Sequence, residues 1–260
     1  MQHAIETVGL RRTFGDIVAV DALDLVVEAG TFFGFLGPNG AGKSTTIKML
    51  TGLLAPSGGV ARILGRDVVS DAVAAKQAIG VVPEESALFE RLTGPEYLRF
   101  VGRMYGMARP VIDDRSEELL TLIGLAGDSS KLIVDYSHGM RKKLSLCAAI
   151  IHEPQVLFLD EPFEGIDAIS SRLVRSILVQ LVGTGVTVFL TSHILEIVEK
   201  LCSRVAIIHR GRLVAEGPLN ELQLEARPDA RGDGPRSLEE LFLSLVEAGH
   251  PEHARLSWLD

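Results

Sequence analysis

The sequence predicts an α/β fold: a parallel β-sheet core, an antiparallel β subdomain at the N-terminus and a helical subdomain inserted into the core. Three observations predict it. Continuous apolar runs at Phe32–Leu36, Val156–Leu159, Val186–Thr191 and Val205–His209 alternate with segments of helical spacing, which suits strands covered on both faces. The octapeptide Gly37–Ser44, GPNGAGKS, sits between the first run and the helical Thr45–Leu50, so G-x-x-x-x-G-K-[ST] has a strand before it and a helix after it. From about 85 to 152, strand alternation gives way to apolar residues spaced by three and four.

The elements follow in order. Residues 1–30 read as short strands, Ala4–Leu10, Ile17–Ala22 and Leu23–Val27, with a turn at Gly15–Asp16. Glu28-Ala29-Gly30 turns the chain into the strand Thr31–Leu36, and the helix Lys43–Thr51 follows the glycine-rich loop. The turn Pro56–Gly59 leads to the strand Val60–Leu64, the helix Asp71–Ala78 and the strand Ile79–Val82, which Pro83 stops. Pro95–Tyr105 and Ile112–Ile123 are helices separated by Gly106 and Pro110, and Ser137 is a good N-cap for a helix reaching about His152. Val156–Leu159 ends on Asp160; then come the helix Ser170–Val182, the strand Val186–Thr191, the helix Ile194–Leu201, the strand Val205–His209 and a turn at Gly211. Residues 226–236, ARPDARGDGPR, have linker composition. Ser237–Ala248 opens with the capping box Ser237-x-x-Glu240 and repeats Leu238, Leu241, Phe242 and Leu245 on one face, so this helix needs a surface to pack on.

Composition limits the function. The 260 residues are 47% hydrophobic and 23% charged, as in a globular protein, and the net charge of −8 argues against a general nucleic-acid binder. The dense basic run Arg141-Lys142-Lys143 reads as a solvated helix face. Cys147 and Cys202 lie in apolar helical patterns and are too few for a disulfide framework, which suits buried thiols in a reducing compartment. No signal peptide and no run of 18 apolar residues is visible, so work at a membrane requires a separate spanning partner.

The glycine-rich loop carries the chemistry. Gly37, Gly40 and Gly42 permit backbone conformations that turn consecutive N–H groups inward onto phosphate oxygens, and the following helix adds its unpaired N–H groups and positive dipole end. Gly37, Pro38, Asn39, Gly40, Ala41, Gly42, Lys43, Ser44 and Thr45 are therefore the candidate nucleotide-binding residues. Lys43 would reach the β- and γ-phosphates, and the Ser44 hydroxyl would ligate Mg²⁺. The second signal is VLFLDEP at 156–162: a buried strand ending in Asp160 can hold Mg²⁺ beside the loop, and Glu161 can act as general base toward the attacking water.

The ordered series Phe14, GPNGAGKS, VVPEE at 81–85, YSHGM at 136–140, VLFLDEP, GID at 165–167 and TSH at 191–193 resembles the ATP-binding cassette of ABC transporters over about residues 4–220. It is most similar to the nucleotide-binding subunits of bacterial ABC-2-type exporters, in the YS-x-GM signature followed by RKK and in the ELFLSLVE ending. The resemblance implies a phosphate-loop, RecA-like core, with a cassette over 1–222, its helical subdomain at about 85–152, and a C-terminal linker and amphipathic helix over 223–260. It implies that Phe14 stacks on adenine, that His193 contacts the γ-phosphate catalytically with Glu161 and Lys43, and that Asp167 lies in the loop crossing a dimer interface. Ser137 and Gly139 match the LSGGQ pattern, whereas Tyr136, His138 and Met140 depart from it. In the family this element binds the γ-phosphate held by the opposite subunit, so each site is shared. Glu84 stands where the family usually has glutamine, and as an acceptor-only carboxylate it would ligate Mg²⁺ or position water. Phe163-Glu164 replaces the usual small residues and adds a carboxylate near the expected interface.

The expectation is an ATPase that dimerises around two Mg-ATP with an identical or paralogous subunit and drives export through an integral membrane permease at the cytoplasmic face of the cell membrane, with no nucleic-acid partner. The alternative is a soluble ABC ATPase acting in DNA repair or translation, a class that usually carries two cassettes, a coiled-coil insertion or a zinc hook.

Overall fold

A computed structural model describes residues 3–85, 87–225 and 237–246; the expected linker at 226–236 and the expected helix end at 247–248 lie outside the described residues. Two strands of twelve residues open the chain, β1 (His3–Phe14) and β2 (Ile17–Glu28). Both exceed the expected strands because register shifts absorb the breaks in alternation, near Gly9 (φ 56°) in β1 and Ala22 (φ 47°) in β2. The two strands expected on either side of Ala22 are therefore one.

The chain continues through β3 (Phe32–Leu36), α1 (Lys43–Leu50), β4 (Gly58–Ile63), β5 (Arg66–Asp67), α2 (Ala72–Gln77) and β6 (Ile79–Val82). The insertion holds α3 (Gly94–Met104), α4 (Arg109–Leu122), two single 3₁₀ turns and α5 (His138–Ile150). Then follow β7 (Val156–Asp160), α6 (Ala168–Gly183), β8 (Thr187–Thr191), α7 (Leu195–Leu201), β9 (Arg204–His209), β10 (Arg212–Pro218), α8 (Leu219–Glu225) and α9 (Leu238–Val246).

Two sheets result. The order β2-β1-β4-β5 is antiparallel, and the order β10-β9-β3-β8-β7-β6 is parallel except for the edge strand β10. Every residue of β3, β7 and β8 is buried, as strands covered on both faces require. On one face Phe33, Phe35 and Phe158 surround Phe189, with ring centroids 5.7, 5.3 and 5.5 Å away, and pack against the antiparallel sheet and α1. Each such side chain stabilises by roughly 1.5–3 kcal/mol through burial. On the other face Leu36, Leu157, Leu159, Leu190 and Ile207 pack on the helices that follow the strands. Gly80 lets α5 approach β6 closely, because a Cβ there would collide with the Ala149 carbonyl.

The insertion joins this second core through Leu98, Ile112, Leu120, Ile133 and Leu144. Thr93 and Glu96 close a reciprocal capping box on α3, with Thr93 N–H donating to the Glu96 carboxylate at 2.8 Å. The terminal helix α9 finds its surface on α7 and α8: Leu238 and Leu241 are buried, and the Glu199 carboxylate of α7 accepts from Gln223 at 2.6 Å and from Leu238 N–H at 3.4 Å. Its expected capping box is present, with Ser237 N–H donating to Glu240 at 3.1 Å and Glu240 N–H to Ser237 Oγ at 3.3 Å.

Candidate nucleotide and phosphate site

The C-terminal ends of β3 and β7 converge with α1 on a cavity of about 340 Å³ lined by Ala19, Asn39, Gly40, Gly42, Lys43, Ser44, Thr45, Glu84, Asp160 and Glu161. Ligands of parallel α/β sheets lie outside the carboxyl ends of the strands, and this cavity obeys that rule. Gly42, at φ 108°, is the N-cap of α1 and contributes no side-chain cap, so the first N–H groups of the helix lack partners within it and remain for an anion. A Cβ at Gly42 would stand 2.5 Å from the Ala19 carbonyl, so only glycine lets the loop pass this close to β2.

Lys43 braces the loop from inside. Its Nζ donates to the Gly37 carbonyl at 2.7 Å and the Pro38 carbonyl at 3.1 Å. Burial pulls this ammonium below the usual lysine range, while Glu161, Asp160 and Glu84 pull it back.

The carboxylates are held by β8. The Thr191 hydroxyl donates to Asp160 Oδ1 at 2.6 Å and accepts from Glu161 N–H at 3.2 Å, locking the end of β7 to the end of β8. Glu161 leaves the strand in a left-handed conformation, φ 49°. Its Oε2 accepts from the His193 backbone N–H at 3.1 Å and lies 2.9 Å from His193 Nδ1. This contact is a hydrogen bond in the tautomer that carries its proton on Nδ1, since a carboxylate only accepts. Among the described residues no three His, Cys, Asp or Glu side chains form a ready-made metal cage. The donor set of Ser44, Asp160 and Glu84 fits Mg²⁺, which is commonly held through one or two carboxylates plus phosphate oxygens rather than by a protein cage.

The structure thus brings Asn39, Gly40, Gly42, Lys43, Ser44, Thr45, Glu84, Asp160, Glu161 and His193 together. Gly37 and Pro38 adjoin the site through the carbonyls that accept from Lys43, and the remaining expected side chains lie outside the cavity lining. Phe14 is 45% exposed at the β1–β2 hairpin, with the Arg12 guanidinium 4.5 Å from its ring centroid. Ser137 caps α5, accepting from Met140 N–H at 3.2 Å, and Gly139 lies beside Gly165 and Ile166, away from the cavity lining. Asp167 caps α6, accepting from Ile169 and Ser170 N–H at 3.0 and 2.9 Å, and the Ser170 hydroxyl, followed by these backbone bonds, holds its carboxyl below the usual range. Pro38 and Ala41 face the other way, into a gap of about 450 Å³ bordered by His209, Arg210 and the α9 side chains Phe242, Leu243 and Val246.

Two residues escape the sequence reading. Thr191 gives no signal beyond its place before His193. Lys142 is not solvated, as the basic run suggests, but 3% exposed, because one helical step turns it inward beneath β7 while Lys143 follows on another face.

The ABC transporter family matches residues 20–164. The chain is 44% identical to the daunorubicin/doxorubicin resistance ATP-binding protein DrrA of Streptomyces peucetius over 221 residues, which is 85% of this chain and 67% of that protein. It is 34% identical to the probable multidrug ABC transporter ATP-binding protein YbhF of Escherichia coli, over 97% of this chain and 43% of that longer protein. A solved ATP-binding subunit of an ABC transporter superposes with a TM-score of 0.85 at 30% identity, covering 93% of this chain and 99% of that one.

Proposed function

The chain belongs to the ABC transporter family, as an ATP-binding subunit that hydrolyses ATP, and from that premise we propose that it powers export by closing with a second cassette around Mg-ATP beneath a membrane-spanning partner. The observation that carries the mechanism is the convergence of Lys43, Ser44, Glu84, Asp160 and Glu161 on one cavity at the strand ends. The loop N–H groups and Lys43 hold the triphosphate. Asp160, Ser44 and Glu84 would hold Mg²⁺, which would supply charge neutralisation on the phosphates. Glu161 accepts a proton from the attacking water as its oxygen bonds to the γ-phosphorus and the bond to the β-phosphate oxygen breaks, releasing ADP. His193 orients Glu161 through the two bonds described and offers its Nε2 edge to the γ-phosphate. Phe14 serves the adenine from the edge of the antiparallel sheet. Ser137, Gly139 and Asp167 act on the partner cassette's site.

Export is supported by relatives named for drug resistance and for Nod factor export. Docking of the permease is supported by an apolar groove of about 300 Å³ just beyond Glu84, lined by residues including Val81, Pro83, Leu88, Tyr97, Phe100 and Met104. Phe100 and Met104 are 41% and 73% exposed there, a surface suited to a short amphipathic helix. No described helix is long and apolar enough to cross a membrane.

The test is Glu161→Gln in the purified chain. Turnover should fall by about 10²–10⁴, as for loss of a general base, while ATP binding persists and a nucleotide-bound dimer accumulates in size-exclusion chromatography. Undiminished turnover would remove Glu161 from the mechanism. Co-purification with a detergent-solubilised integral membrane protein tests the transport half, and salt-sensitive nucleic-acid binding in its place would overturn that half.

A further inference from the structure

The second turn of α5 carries a buried cation that the mechanism above does not use. Lys142 is 3% exposed, and its Nζ donates to the Glu161 carbonyl at 3.1 Å and to the Pro83 carbonyl at 3.4 Å. These acceptors belong to the two segments that bring carboxylates to the cavity: Glu161 itself, in its left-handed conformation, and the residue preceding Glu84. A buried ammonium is costly unless hydrogen-bonded and compensated by opposite charge. Here two carbonyls accept from it, and although burial pulls the ammonium below the usual lysine range, Glu164, Asp160, Glu84 and Glu161 pull it back. An apolar side chain would fill the space without this cost, so packing alone gives no reason for a lysine.

We propose that Lys142 is a positioning residue for hydrolysis, tying the backbone of Glu161 and of the Pro83–Glu84 segment to α5 so that both carboxylates flank the phosphate cavity. The inference rests on the reading of Glu161 as the water-activating base.

Steady-state Mg-ATP hydrolysis by the full chain tests this with Lys142→Met, Lys142→Arg and Glu161→Gln, alone and with Lys142→Met. Lys142→Met should lower kcat about 10- to 100-fold with KM within about threefold, the signature of a displaced catalytic group. Lys142→Arg, which keeps a charged donor, should recover to within about fivefold of the native rate. Lys142→Met should add no further loss to Glu161→Gln, since both act through one carboxylate. A kcat within twofold of native in Lys142→Met, a loss carried wholly by KM, or an arginine variant as slow as the methionine one overturns the proposal. If Lys142→Met is not recovered folded, Lys142→Gln is read by the same criteria: reduced kcat at native KM supports the role, and a native rate overturns it. Persistent turnover in Glu161→Gln alone overturns the reading of Glu161, an outcome separate from any of these.

Discussion

At the scale of single residues, the site is a set of short polar bonds made at strand ends, and its parts are separable by substitution. His193 fixes Glu161 from the side, through Nδ1 at 2.9 Å, while its own backbone N–H holds the same oxygen. His193→Ala leaves the second bond and removes the first, so kcat should fall by about 10²–10³, the usual cost of one catalytic donor. ATP affinity, measured with a fluorescent nucleotide, should change little; a variant that turns over normally would strip His193 of its role. The thiols give an independent check on burial. Burial pushes Cys147 up to about 12 and raises Cys202 as well, and both thiols are buried. At pH 8 only about one Cys147 in 10⁴ is thiolate, so iodoacetamide should leave both residues unmodified until the chain is unfolded. Rapid native-state labelling of either would contradict this packing. Which residues share the cavity was legible in sequence where a backbone constraint spells it, as in GPNGAGKS and in the carboxylates after VLFL. Thr191 and Lys142 were not, because a hydroxyl inside a β-branched run and a lysine inside a basic triplet look like ordinary strand and surface choices.

At the scale of elements, periodicity located nearly every helix and strand, and each miss has a physical cause. β1 and β2 run through positive-φ residues that break alternation, so a pattern search ends the strand where the hydrogen bonds do not. β10 was missed because an edge strand with partly exposed alternation carries little apolar signal, and α8 because its seven residues give a helical period barely two turns to show itself. For α9 the amphipathic face was legible, whereas its surface was not, since α7 and α8 meet it only in the folded chain. That contact predicts the effect of truncating it. Leu238 is fully buried, and Leu238→Ala should cost about 2–5 kcal/mol locally, the usual range for a core leucine. Because α9 is peripheral, the loss should appear as undocking, read as faster hydrogen exchange in α9 and in the Glu199 region of α7, with the β-sheet amides still protected. Uniform loss of protection throughout the sheet would instead make α9 part of the global core. The α3 face carries its own test: Phe100→Asp puts a charge in the apolar groove and should abolish co-purification with the membrane partner in a chain whose circular dichroism is unchanged.

At the scale of the whole molecule, one chain assembles only part of the expected chemistry. The phosphate loop, Asp160 and Glu161 share a cavity, whereas Ser137 and Gly139 lie on α5 away from its lining, beside the loop that ends in Asp167. Both readings of the signature follow from this separation: either it has no part in hydrolysis, or it completes a cavity on another chain. Twofold symmetry decides between them by experiment, because in an isologous dimer each site takes its loop from one copy and its signature from the other. Lys43→Ala destroys a loop and leaves a signature, and Ser137→Arg does the reverse. Each variant alone has two broken sites, but a mixed dimer has one site with both parts native. Random mixing makes half the dimers mixed, each with one of two sites restored, so the mixture should recover about a quarter of native activity if sites act independently. Specific activity of the native chain should also rise with its concentration until the dimer saturates, as mass action demands. A mixture as inactive as its components, together with specific activity independent of concentration, would place the whole reaction within a single chain and leave Ser137 as nothing more than the cap of α5.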